Sequence, residues 1–260
     1  MKLFRTAERV SPDENSDNYI FQRSLFAYLQ ASRIIHGNVL EIGTGCGYGI
    51  EYLSSESDYF TTVDKVCQVE EETISKFENV HFMQVKVPVL KNLPKNHYDF
   101  VVMFQLIEHI AQDSLLLKEV HRVLRKNGVL ILTTPNKAMS LTRNPWHVRE
   151  YSSLDLDSLL SGPFEVIARK GVFGNQHVAQ YYDHNKTSVE KITRYDVLDL
   201  QHRLPASLLR WPYDLFNRLN RKTMLFRNRE LVKQISHADF FLHPVDDQCL
   251  DLFYMARKTG

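Results

Sequence analysis

Three glycines at alternate positions form the most informative chemical pattern in the chain. Gly43, Gly45 and Gly47 directly follow the apolar run 39–42, and a segment of helical character, 48–53, comes next. Glycine has no Cβ and adopts positive φ readily, so a ligand can lie against the bare main chain at such a turn. A strand, a glycine-rich turn and a helix in this order predict a cradle for a nucleotide-type cofactor.

The charge and the spacing around this turn restrict which cofactor it can bind. Glu41 stands two positions before Gly43 and would repel a pyrophosphate group. The spacing G-x-G-x-G also lacks the offset of the last glycine in the dinucleotide fingerprint, which disfavours a dehydrogenase. Both observations favour a ligand with a cationic end. S-adenosylmethionine, which carries a sulfonium and an ammonium group, fits this requirement.

An acidic residue at the end of the next expected strand supports the same cofactor. The run 59–63 has the β-branched and aromatic character of a strand, and it ends at Asp64. Asp64 comes 64−43 = 21 positions after Gly43. A doubly wound sheet places a carboxylate at this distance, where it accepts hydrogen bonds from both ribose hydroxyls. We therefore predict that Asp64 binds the ribose.

Two histidines follow strands whose ends should lie beside the cofactor. His109 comes shortly after the apolar stretch 98–104, and His147 lies in the loop after a strand that ends at Thr134. Ligands of open α/β sheets bind beyond the carboxyl ends of the strands. Methyl transfer to oxygen or nitrogen needs a group that removes a proton. We predict His109 and His147 as catalytic bases or acceptor-orienting residues; the alternative is that they only shape the pocket.

Three further stretches carry a resemblance to a known family. They are 98–110, 117–136 and 144–151, with the sequences YDFVVMFQLIEHI, LKEVHRVLRKNGVLILTTPN and NPWHVREY. Together with the glycine turn, they resemble the class I S-adenosylmethionine-dependent methyltransferases, and the type 11/23 group in particular, over roughly residues 36–172. The resemblance implies a doubly wound, seven-stranded, mostly parallel α/β sheet of the Rossmann-like methyltransferase fold, and methyl transfer from S-adenosylmethionine.

The turn, the sheet geometry and the resemblance together give a candidate cofactor-binding set. Its members are Glu41, Gly43, Thr44, Gly45, Gly47, Tyr48, Asp64, Lys65, Lys86, Val87, Phe104 and Gln105. We expect Phe104 and Gln105 to face the methionine part of the cofactor. The family commonly has an acidic residue after the third strand to bind the adenine, whereas this chain has Lys86-Val87-Pro88. We therefore expect backbone groups and apolar side chains near Val87 to hold the adenine.

Glu108, His109 and His147 could also bind a divalent metal, for which histidine and carboxylate are suitable ligands. Small-RNA 3′-end 2′-O-methyltransferases and ubiquinone-pathway O-methyltransferases resemble the chain at this point and have the pattern Glu-x-x-Glu-His. This chain has Gln105 in place of the first glutamate, which removes one anionic ligand. We therefore expect no metal at the site.

Length and composition fit one domain. The chain has 260 residues, of which 43% are hydrophobic, and this is ample for a single α/β core. Within that domain we expect four parts. They are an N-terminal arm and helix at 1–37, the Rossmann-like cofactor-binding core at 38–173, a basic amphipathic helical insertion at 174–246, and the last edge strand, antiparallel to its neighbour, at 247–260.

The expected elements follow from apolar periodicity and turn residues. After an amphipathic helix that starts at Asn18 and closes at Gly37, strands are predicted at 39–42, 59–63, 80–85, 98–104, 129–133, 164–172 and 250–257. Helices are predicted at 48–53, 69–77, 115–124 and 152–160. Lys126-Asn127-Gly128 is expected to form the turn that leaves the helix 115–124. Ser152 is available as the N-cap of the last of these helices.

Composition also excludes some functional classes. Lysine and arginine number 32 against 31 acidic residues, so the chain as a whole is not an electrostatic binder of nucleic acid. Its three cysteines form no C-x-x-C pair, from which we infer a reducing, cytoplasmic setting. The first residues do not have the pattern of a signal peptide. No stretch approaches the ~18 to 20 consecutive apolar residues of a transmembrane helix.

One part of the insertion is strongly basic. The stretch 201–233 holds eight basic against two acidic residues, so 8−2 gives +6, and it also carries Trp211 and several leucines and phenylalanines. Three interpretations stay open. The stretch could lie on an anionic membrane surface, form a lid over the acceptor, or bury its aromatic face against the core while its arginines stay solvated.

These patterns predict a methyltransferase that uses S-adenosylmethionine. We expect a small-molecule, lipid or glycan acceptor, and oxygen as the methylated atom because both histidines are plausible bases. RNA 2′-O-methylation is an alternative, which the lack of a basic, aromatic surface outside the insertion disfavours. A second alternative is a methyltransferase-like binding or scaffold protein without catalysis. The oligomeric state stays open at this stage.

Overall fold

A computed structural model describes residues 6, 8, 10–67, 69, 71–196 and 199–260. In this part of the chain eight strands form one sheet. Their bounds are β1 Asn38–Ile42, β2 Tyr59–Asp64, β3 Val80–Gln84, β4 Tyr98–Phe104, β5 Leu124–Pro135, β6 Phe164–Gly174, β7 Phe240–Pro244 and β8 Asp251–Lys258. Their order across the sheet is β3-β2-β1-β4-β5-β8-β6-β7.

The first five strands pair in parallel, and the last three pair antiparallel with their neighbours. From β1 the chain first adds β2 and β3 on one side, and it then crosses to add β4 and β5 on the other side of β1. This change of side makes the sheet doubly wound. The predicted Rossmann-like sheet is therefore confirmed, with one strand more than the seven expected. In such a sheet the carboxyl ends of the parallel strands form the ligand-binding edge.

The position of the last strand differs from the expectation. β8 is antiparallel to β5, as predicted, but it lies between β5 and β6 and not at the edge of the sheet. The four consecutive residues 251–254 are all buried. A strand buried on both faces belongs in the interior of a sheet. The edge is formed instead by β7, which comes from the end of the predicted insertion.

The predicted turn at 126–128 is also different in the structure. Strand β5 already begins at Leu124, which pairs with Tyr98, while Val129 pairs with Phe100. Residues between these two pairs bulge out of the ladder, and Asn127 has a φ of 63°. The asparagine and glycine that favour a turn here form a bulge inside a strand, since a bulge requires the same local freedom.

Nine α-helices accompany the sheet within the described ranges. They are α1 Asn18–Ser32, α2 Ile50–Ser54, α3 Glu71–Ser75, α4 Asp113–Val123, α5 Ser153–Leu160, α6 Gln176–Thr193, α7 Leu200–Arg203, α8 Ala206–Arg227 and α9 Arg229–Gln234. Ser152 caps α5 as predicted, through a capping box with Asp155. The predicted helix 69–77 is reduced to the five residues of α3.

The two faces of the sheet carry separate apolar clusters. One contains buried residues of α4 and α5, and the other contains buried residues of α1, α2, α6, α8 and α9. The insertion and the N-terminal helix are therefore packed on the same face. None of the described helices is long and apolar enough to cross a membrane.

The insertion is tied to the N-terminal region by buried polar contacts. Arg221 of α8 donates a hydrogen bond to Asp17, at 2.9 Å, just before α1. The side-chain amide of Asn18 donates to the carbonyl oxygens of Val232 and Ile235, at 2.7 and 2.8 Å, at the end of α9. Two regions distant in sequence are thus held together beside the carboxyl edge of the sheet.

Candidate active site

The glycine turn lies at the carboxyl edge of the sheet, between β1 and α2. Gly43, Gly45 and Gly47 have φ angles of 101°, 57° and 81°, in the left-handed region that glycine tolerates best. Among the described residues, a Cβ on Gly45 would come within 4 Å only of the Gly43 carbonyl oxygen, at 4.0 Å. A Cβ on Gly47 would lie 2.7 Å from a methyl group of Val69. Gly45 therefore faces open space, whereas Gly47 allows close internal packing.

A cavity of about 380 Å³ opens at this edge. Six residues of the predicted cofactor set form one side of it, namely Gly43, Thr44, Gly45, Tyr48, Phe104 and Gln105. The insertion forms much of the opposite side, through Tyr181, Tyr182, Asn185, Tyr213, Asn217 and Asn220. A cavity of this size, with aromatic walls and several polar groups, is typical of small-ligand sites.

Asp64 ends β2 beside this turn. One of its carboxylate oxygens accepts a hydrogen bond from the Gly45 amide at 3.0 Å, and the other accepts one from the Val66 amide at 3.3 Å. The side chain is half-buried and lies next to the cavity wall, not within it. Each carboxylate oxygen can accept a further hydrogen bond. Asp64 is thus able to bind a diol without giving up its bonds to the main chain.

Glu41 does not reach the cavity wall. It is buried, and its two carboxylate oxygens accept hydrogen bonds from the Tyr28 hydroxyl at 2.8 Å and the Thr62 hydroxyl at 2.6 Å. Burial raises the pKa of Glu41 to about 7. Tyr28 itself contributes to the cavity wall. Glu41 therefore positions Tyr28 and the end of β1. We infer that Glu41 affects a cationic ligand through Tyr28 and the main chain and not by direct contact.

Three further residues of the predicted cofactor set follow β2 and β3, and the adenine is predicted to lie near one of them, Val87. Lys65 follows β2, and its carbonyl oxygen accepts a hydrogen bond from the Gln84 side chain at 2.9 Å. Val87 packs against the apolar cluster of α4 and α5. Lys65, Lys86 and Val87 are not part of the cavity wall described above. The adenine contact at Val87 stays a prediction.

The residues at this edge fit S-adenosylmethionine, the cofactor that the sequence predicts. The main chain over Gly45 is open, Asp64 can bind a diol beside it, and Phe104 and Gln105 meet the cavity at the end of β4. These features suit a ligand with a ribose in the middle and a polar amino-acid end. The methionine end would then lie in the cavity.

His109 and His147 lie together at the same edge. Their ring centres are 4.9 Å apart, and the rings are inclined by 77°. Nδ1 of His109 donates to the carbonyl oxygen of Trp146, at 3.0 Å, which leaves Nε2 as the acceptor nitrogen when the ring is neutral. Nδ1 of His147 donates to Glu150 at 3.0 Å. The two residues predicted to act on the proton are thus neighbours in space.

A carboxylate from the N-terminal arm completes this cluster. Glu8 Oε2 lies 3.7 Å from Nε2 of His109 and 3.6 Å from Nε2 of His147. The amide nitrogen of Asn144 donates to the other oxygen of Glu8 at 2.8 Å. Glu8 and His147 belong to the cavity wall, and His109 adjoins Glu8 outside it. Nothing in the polar sequence of the arm singles out Glu8, because no spacing rule connects it with residues a hundred positions later.

The surroundings shift the pKa values of the two histidines in opposite directions. Burial lowers the pKa of His109, so its ring is neutral near pH 7. Burial also acts to lower the pKa of His147, but hydrogen bonds with Glu150 and Glu8 raise it to about 9. Burial raises the pKa of Glu8, yet the hydrogen bond and charge of His147 hold it below its ordinary value. The cluster therefore combines a neutral imidazole, an imidazolium and carboxylates.

Glu108 is not a member of this cluster. It is buried, and it accepts a hydrogen bond from the Thr134 hydroxyl at 3.0 Å. Burial raises its pKa to about 7. Within the described ranges, the group that could hold a metal ion is Glu8, His109 and His147, whose nearest ligand atoms lie within 4.8 Å of one another. Glu8 thus takes the place that the sequence suggested for Glu108, and the absence of a metal stays an expectation.

Trp146 and Tyr151 anchor the loop that carries His147. The indole nitrogen of Trp146 donates to Asp214 of α8 at 3.0 Å, and the Arg210 guanidinium lies 4.6 Å from the centre of its ring. The hydroxyl of Tyr151 donates to Asp113 at 2.7 Å, in a buried position. Neither aromatic belongs to the wall of the cavity described above, and these contacts anchor the loop. The cavity wall is supplied instead by tyrosines and asparagines of the insertion.

Comparison with known proteins finds relatives that are named as methyltransferases. A probable S-adenosylmethionine-dependent methyltransferase of Mycobacterium tuberculosis is 34% identical over 178 residues, which cover 66% of this chain and 65% of the relative. A ubiquinone biosynthesis O-methyltransferase of Rickettsia typhi is 24% identical over 123 residues, which cover 46% of this chain and 48% of the relative. The chain thus spans about 65% of the length of the first relative.

A solved structure and a family model complete the comparison. The [4+2]-cyclase SpnF matches with a TM-score of 0.52 and 14% sequence identity, over 91% of this chain and 81% of that chain. A likeness at this identity shows the fold and not the chemistry. Residues 18–244 match the family model described as a methyltransferase domain. Since this match covers most of the chain, the protein belongs to the methyltransferase-domain family.

Proposed function

We propose that the protein is an S-adenosylmethionine-dependent methyltransferase that methylates a hydroxyl oxygen. The observation that carries the proposal is the orientation of His109, whose Nδ1 is held by the Trp146 carbonyl oxygen at 3.0 Å, so that Nε2 faces the carboxylate cluster. A neutral imidazole with a free Nε2 can take a proton from a hydroxyl. The relative from Rickettsia typhi is an O-methyltransferase, which supports oxygen as the acceptor, and the relative from Mycobacterium tuberculosis supports the cofactor.

The cofactor would be held by the glycine turn and the two strand ends beside it. The open main chain at Gly45 lets the ligand approach closely, and Asp64 accepts hydrogen bonds from the ribose hydroxyls. When bound, S-adenosylmethionine supplies an electrophilic methyl group. The task left to the protein is to orient the acceptor oxygen in line with that group and to remove its proton.

The proton route runs from the cavity to His109. Glu8 lies in the cavity wall, where it can accept a hydrogen bond from the acceptor hydroxyl, and its Oε2 is 3.7 Å from Nε2 of His109. Because its pKa is held low, Glu8 is a poor final base. His109 is neutral near pH 7 and its Nδ1 is already bonded to the main chain, so we assign its Nε2 as the final acceptor of the proton. The imidazolium of His147 holds Glu8 in its charged form.

The wall contributed by the insertion indicates a polar acceptor. Asn185, Asn217 and Asn220 bring side-chain amides to the cavity, and Tyr181 and Tyr182 bring aromatic rings. An amide can both donate and accept hydrogen bonds, which matches an acceptor with several hydroxyls. We therefore favour a glycan or another polyhydroxylated molecule, free or carried by a lipid, over an apolar one.

Titration calorimetry with Asp64→Ala tests the cofactor assignment. Wild-type protein should bind S-adenosylmethionine and S-adenosylhomocysteine but not NAD. Asp64→Ala should weaken the binding by more than ~1.5 kcal/mol, about tenfold or more, because two charge-assisted hydrogen bonds to the ribose are lost. Asp58→Ala, at an exposed aspartate just before β2, is the matched control. Equal affinities of Asp64→Ala and wild type would refute the ribose assignment.

Turnover must be measured separately from binding, because the cyclase SpnF shares this fold. A panel of hydroxylated acceptors, sugars and sugar-bearing lipids included, should be incubated with radiolabelled cofactor. Methylation of a hydroxyl gives an ether, whose label is stable to base, whereas the label of a methyl ester is released by base. Mass spectrometry then locates the methyl group. Methylation of nitrogen or carbon would overturn the oxygen assignment. Binding without turnover across the panel would favour the non-catalytic binding protein.

A further inference from the structure

Helix α8 carries an apolar stripe on its outer face. The stripe consists of five residues, which are Leu208, Trp211, Leu215, Leu219 and Phe226. Steps of three, four, four and seven residues keep them on one side of an α-helix. Trp211 is 70% exposed and Phe226 is 87% exposed. Single exposed apolar residues are ordinary, whereas a continuous stripe along a long helix marks an interaction surface.

The inner face of α8 packs against the rest of the protein. Arg221 and Met224 are buried, and Arg221 forms a 2.9 Å ion pair with Asp17. Tyr213 and Asn217 belong to the cavity wall. Turning the helix to bury the stripe would break the buried ion pair and remove one wall of the cavity. The interpretation in which the basic stretch buries its aromatic face against the core therefore does not hold for this stripe.

Exposed basic side chains occur on α8 and on the short helices before and after it in the sequence. Lys222 lies on the line of the stripe between Leu219 and Phe226, whereas Arg210 packs on the Trp146 ring. In residues 200–236, all of which are described, the exposed lysines and arginines are Arg203, Arg210, Lys222, Arg227, Arg229 and Lys233. Glu230 is the one exposed acidic residue in the same range. Lysine and arginine have long aliphatic stems, so their charges can reach a layer above the apolar groups to which they are adjacent. The exposed side of this region thus combines an apolar stripe with an excess of positive charge.

We propose that α8 binds an anionic lipid bilayer and lies in the plane of its interface. A helix of 22 residues is about 33 Å long, enough for the whole stripe to enter the boundary between headgroups and acyl chains. Trp211 has the amphipathic ring that this boundary favours. The exposed lysines and arginines of this region are attracted to the lipid phosphates, which strengthens binding to an anionic surface.

Charge decides between a bilayer and a second copy of the chain. If two copies paired through their stripes, the excess positive charge of one copy would lie close to that of the other, and like charges at such an interface are unfavourable. An anionic bilayer offers apolar and negative groups together, which matches both parts of the surface. We therefore assign lipid as the occupant.

This inference does not depend on the proposed reaction, although the two are connected by geometry. The residues of α8 that line the cavity lie on the side opposite the stripe, so one helix separates the cavity from the bilayer. The thickness of a helix with its side chains is about 10 Å. An acceptor carried by a lipid would thus be held close to the site.

Vesicle flotation of the full-length protein tests the proposal. We expect binding to vesicles that contain phosphatidylglycerol, weaker binding at high salt, and little binding to pure phosphatidylcholine. The double variant Trp211→Ser/Phe226→Ser should bind about tenfold more weakly, since two aromatic anchors no longer enter the interface. Lys222→Glu/Arg227→Glu should bind more weakly to the anionic vesicles. The matched control is Leu154→Ser, which changes an apolar side chain on α5 that is 79% exposed.

The results of these experiments distinguish a bilayer from a second copy of the chain. Flotation of wild type with anionic vesicles, lost in the stripe variant and kept in Leu154→Ser, supports the proposal. Absence of wild-type flotation overturns it, as does equal flotation of the stripe variant. A dimer in light scattering that becomes a monomer in the stripe variant also overturns it in favour of a second copy. Calorimetry with S-adenosylmethionine on each variant verifies folding, and it reports on the proposed function independently of the vesicles.

Discussion

At the scale of single residues, the two histidines differ in protonation although their rings are neighbours. His109 donates through Nδ1 to a backbone carbonyl, and burial lowers its pKa. His147 lies between the carboxylates of Glu8 and Glu150, which raise its pKa to about 9 against the effect of burial. A neutral base and a fixed positive charge therefore coexist near pH 7. This division of roles gives a specific pH dependence.

Replacing His109 should remove the base and leave the cofactor site intact. We expect His109→Gln to lower kcat about 100-fold or more, with unchanged affinity for S-adenosylmethionine. His184→Gln, at an exposed histidine of α6, is the control and should leave kcat unchanged. Assays with and without a chelator separate loss of a base from loss of a metal ligand. Full activity of His109→Gln would show that the proton leaves by another route.

The wild-type pH profile follows from the same two pKa values. His109 must be neutral to accept a proton, so kcat/KM should rise with pH, and the midpoint of the rise should lie below the ordinary histidine pKa of 6.5 because burial lowers the pKa of this ring. The positive charge of His147 is lost above about pH 9, where activity should fall again. A single rise centred above pH 7 would contradict the assignment.

Glu41 predicts a pH dependence of stability. Burial raises its pKa from the ordinary value of 4.5 to about 7, so the folded protein keeps a proton that the unfolded chain has released. Its contribution to stability is complete below pH 4.5 and is lost as the pH rises through about 7. Denaturant unfolding across this interval should show a falling free energy of unfolding.

Glu41→Gln should make that fall less steep, because the variant has no proton to release. The pKa of Glu108 is also raised by burial. The substitution should therefore reduce the slope of the free energy of unfolding against pH without abolishing it. The exposed Glu51→Gln on α2 is the control. A slope in Glu41→Gln equal to that of wild type would mean that Glu41 is charged in the folded protein.

At the scale of elements, the buried pair between Asp17 and Arg221 fixes α8. Asp17 is 1% exposed and Arg221 is 8% exposed. Removing one member of such a pair leaves a buried charge without its partner, which typically costs about 3–5 kcal/mol. We expect Asp17→Asn to lower the free energy of unfolding by this order. The double variant Asp17→Asn/Arg221→Met should recover part of the loss.

An exposed ion pair provides the comparison. Arg257 and Glu165 are 3.5 Å apart on the surface of β8 and β6. Such pairs contribute about 0–1 kcal/mol, so Glu165→Gln should change stability little. Equal effects of Asp17→Asn and Glu165→Gln in chemical denaturation would contradict the anchoring role of the buried pair.

Elements governed by local pattern could be predicted from the sequence, and those governed by distant contacts could not. The strand β4 was predicted with its observed bounds, since its apolar run is bounded by polar residues. The interior position of β8 depends on its pairing with β5 and β6, which no local pattern encodes. Asn127 and Gly128 have the same preference for a turn and for a bulge, so the two outcomes cannot be told apart from these residues.

In the candidate site, too, some residues follow from a local pattern and others depend on distant contacts. Gly45 and Asp64 are linked by a hydrogen bond across 19 positions within one βαβ unit, whose geometry is regular enough to predict. Asn185 and Asn217 reach the cavity because of how α6 and α8 pack on α1, and Glu8 because of the course of the arm. Contacts of this kind arise from the tertiary structure, and the composition of the insertion shows only that it is basic and amphipathic.

At the scale of the whole molecule, one apolar cluster joins the N-terminal helix, the sheet and the insertion. It contains Phe26 of α1, Phe100 and Phe253 of the sheet, and Tyr181 and Met224 of the insertion. We propose that the chain is a single domain on this basis. Scanning calorimetry should show one transition in which the calorimetric and van't Hoff enthalpies agree. A separate transition at lower temperature, lost on removal of the insertion, would contradict this.

The position of Glu8 has a consequence for how activity can be lost. The carboxylate proposed to hydrogen-bond the acceptor hydroxyl beside His109 belongs to the arm, outside the matched family domain, while the cofactor turn belongs to the sheet. Affinity for S-adenosylmethionine and competence for transfer are therefore held by separate segments. A proteolytic cut or a fusion that displaces the arm would leave a protein that binds its cofactor normally and turns nothing over. Retention of cofactor is thus no measure of whether a preparation is active.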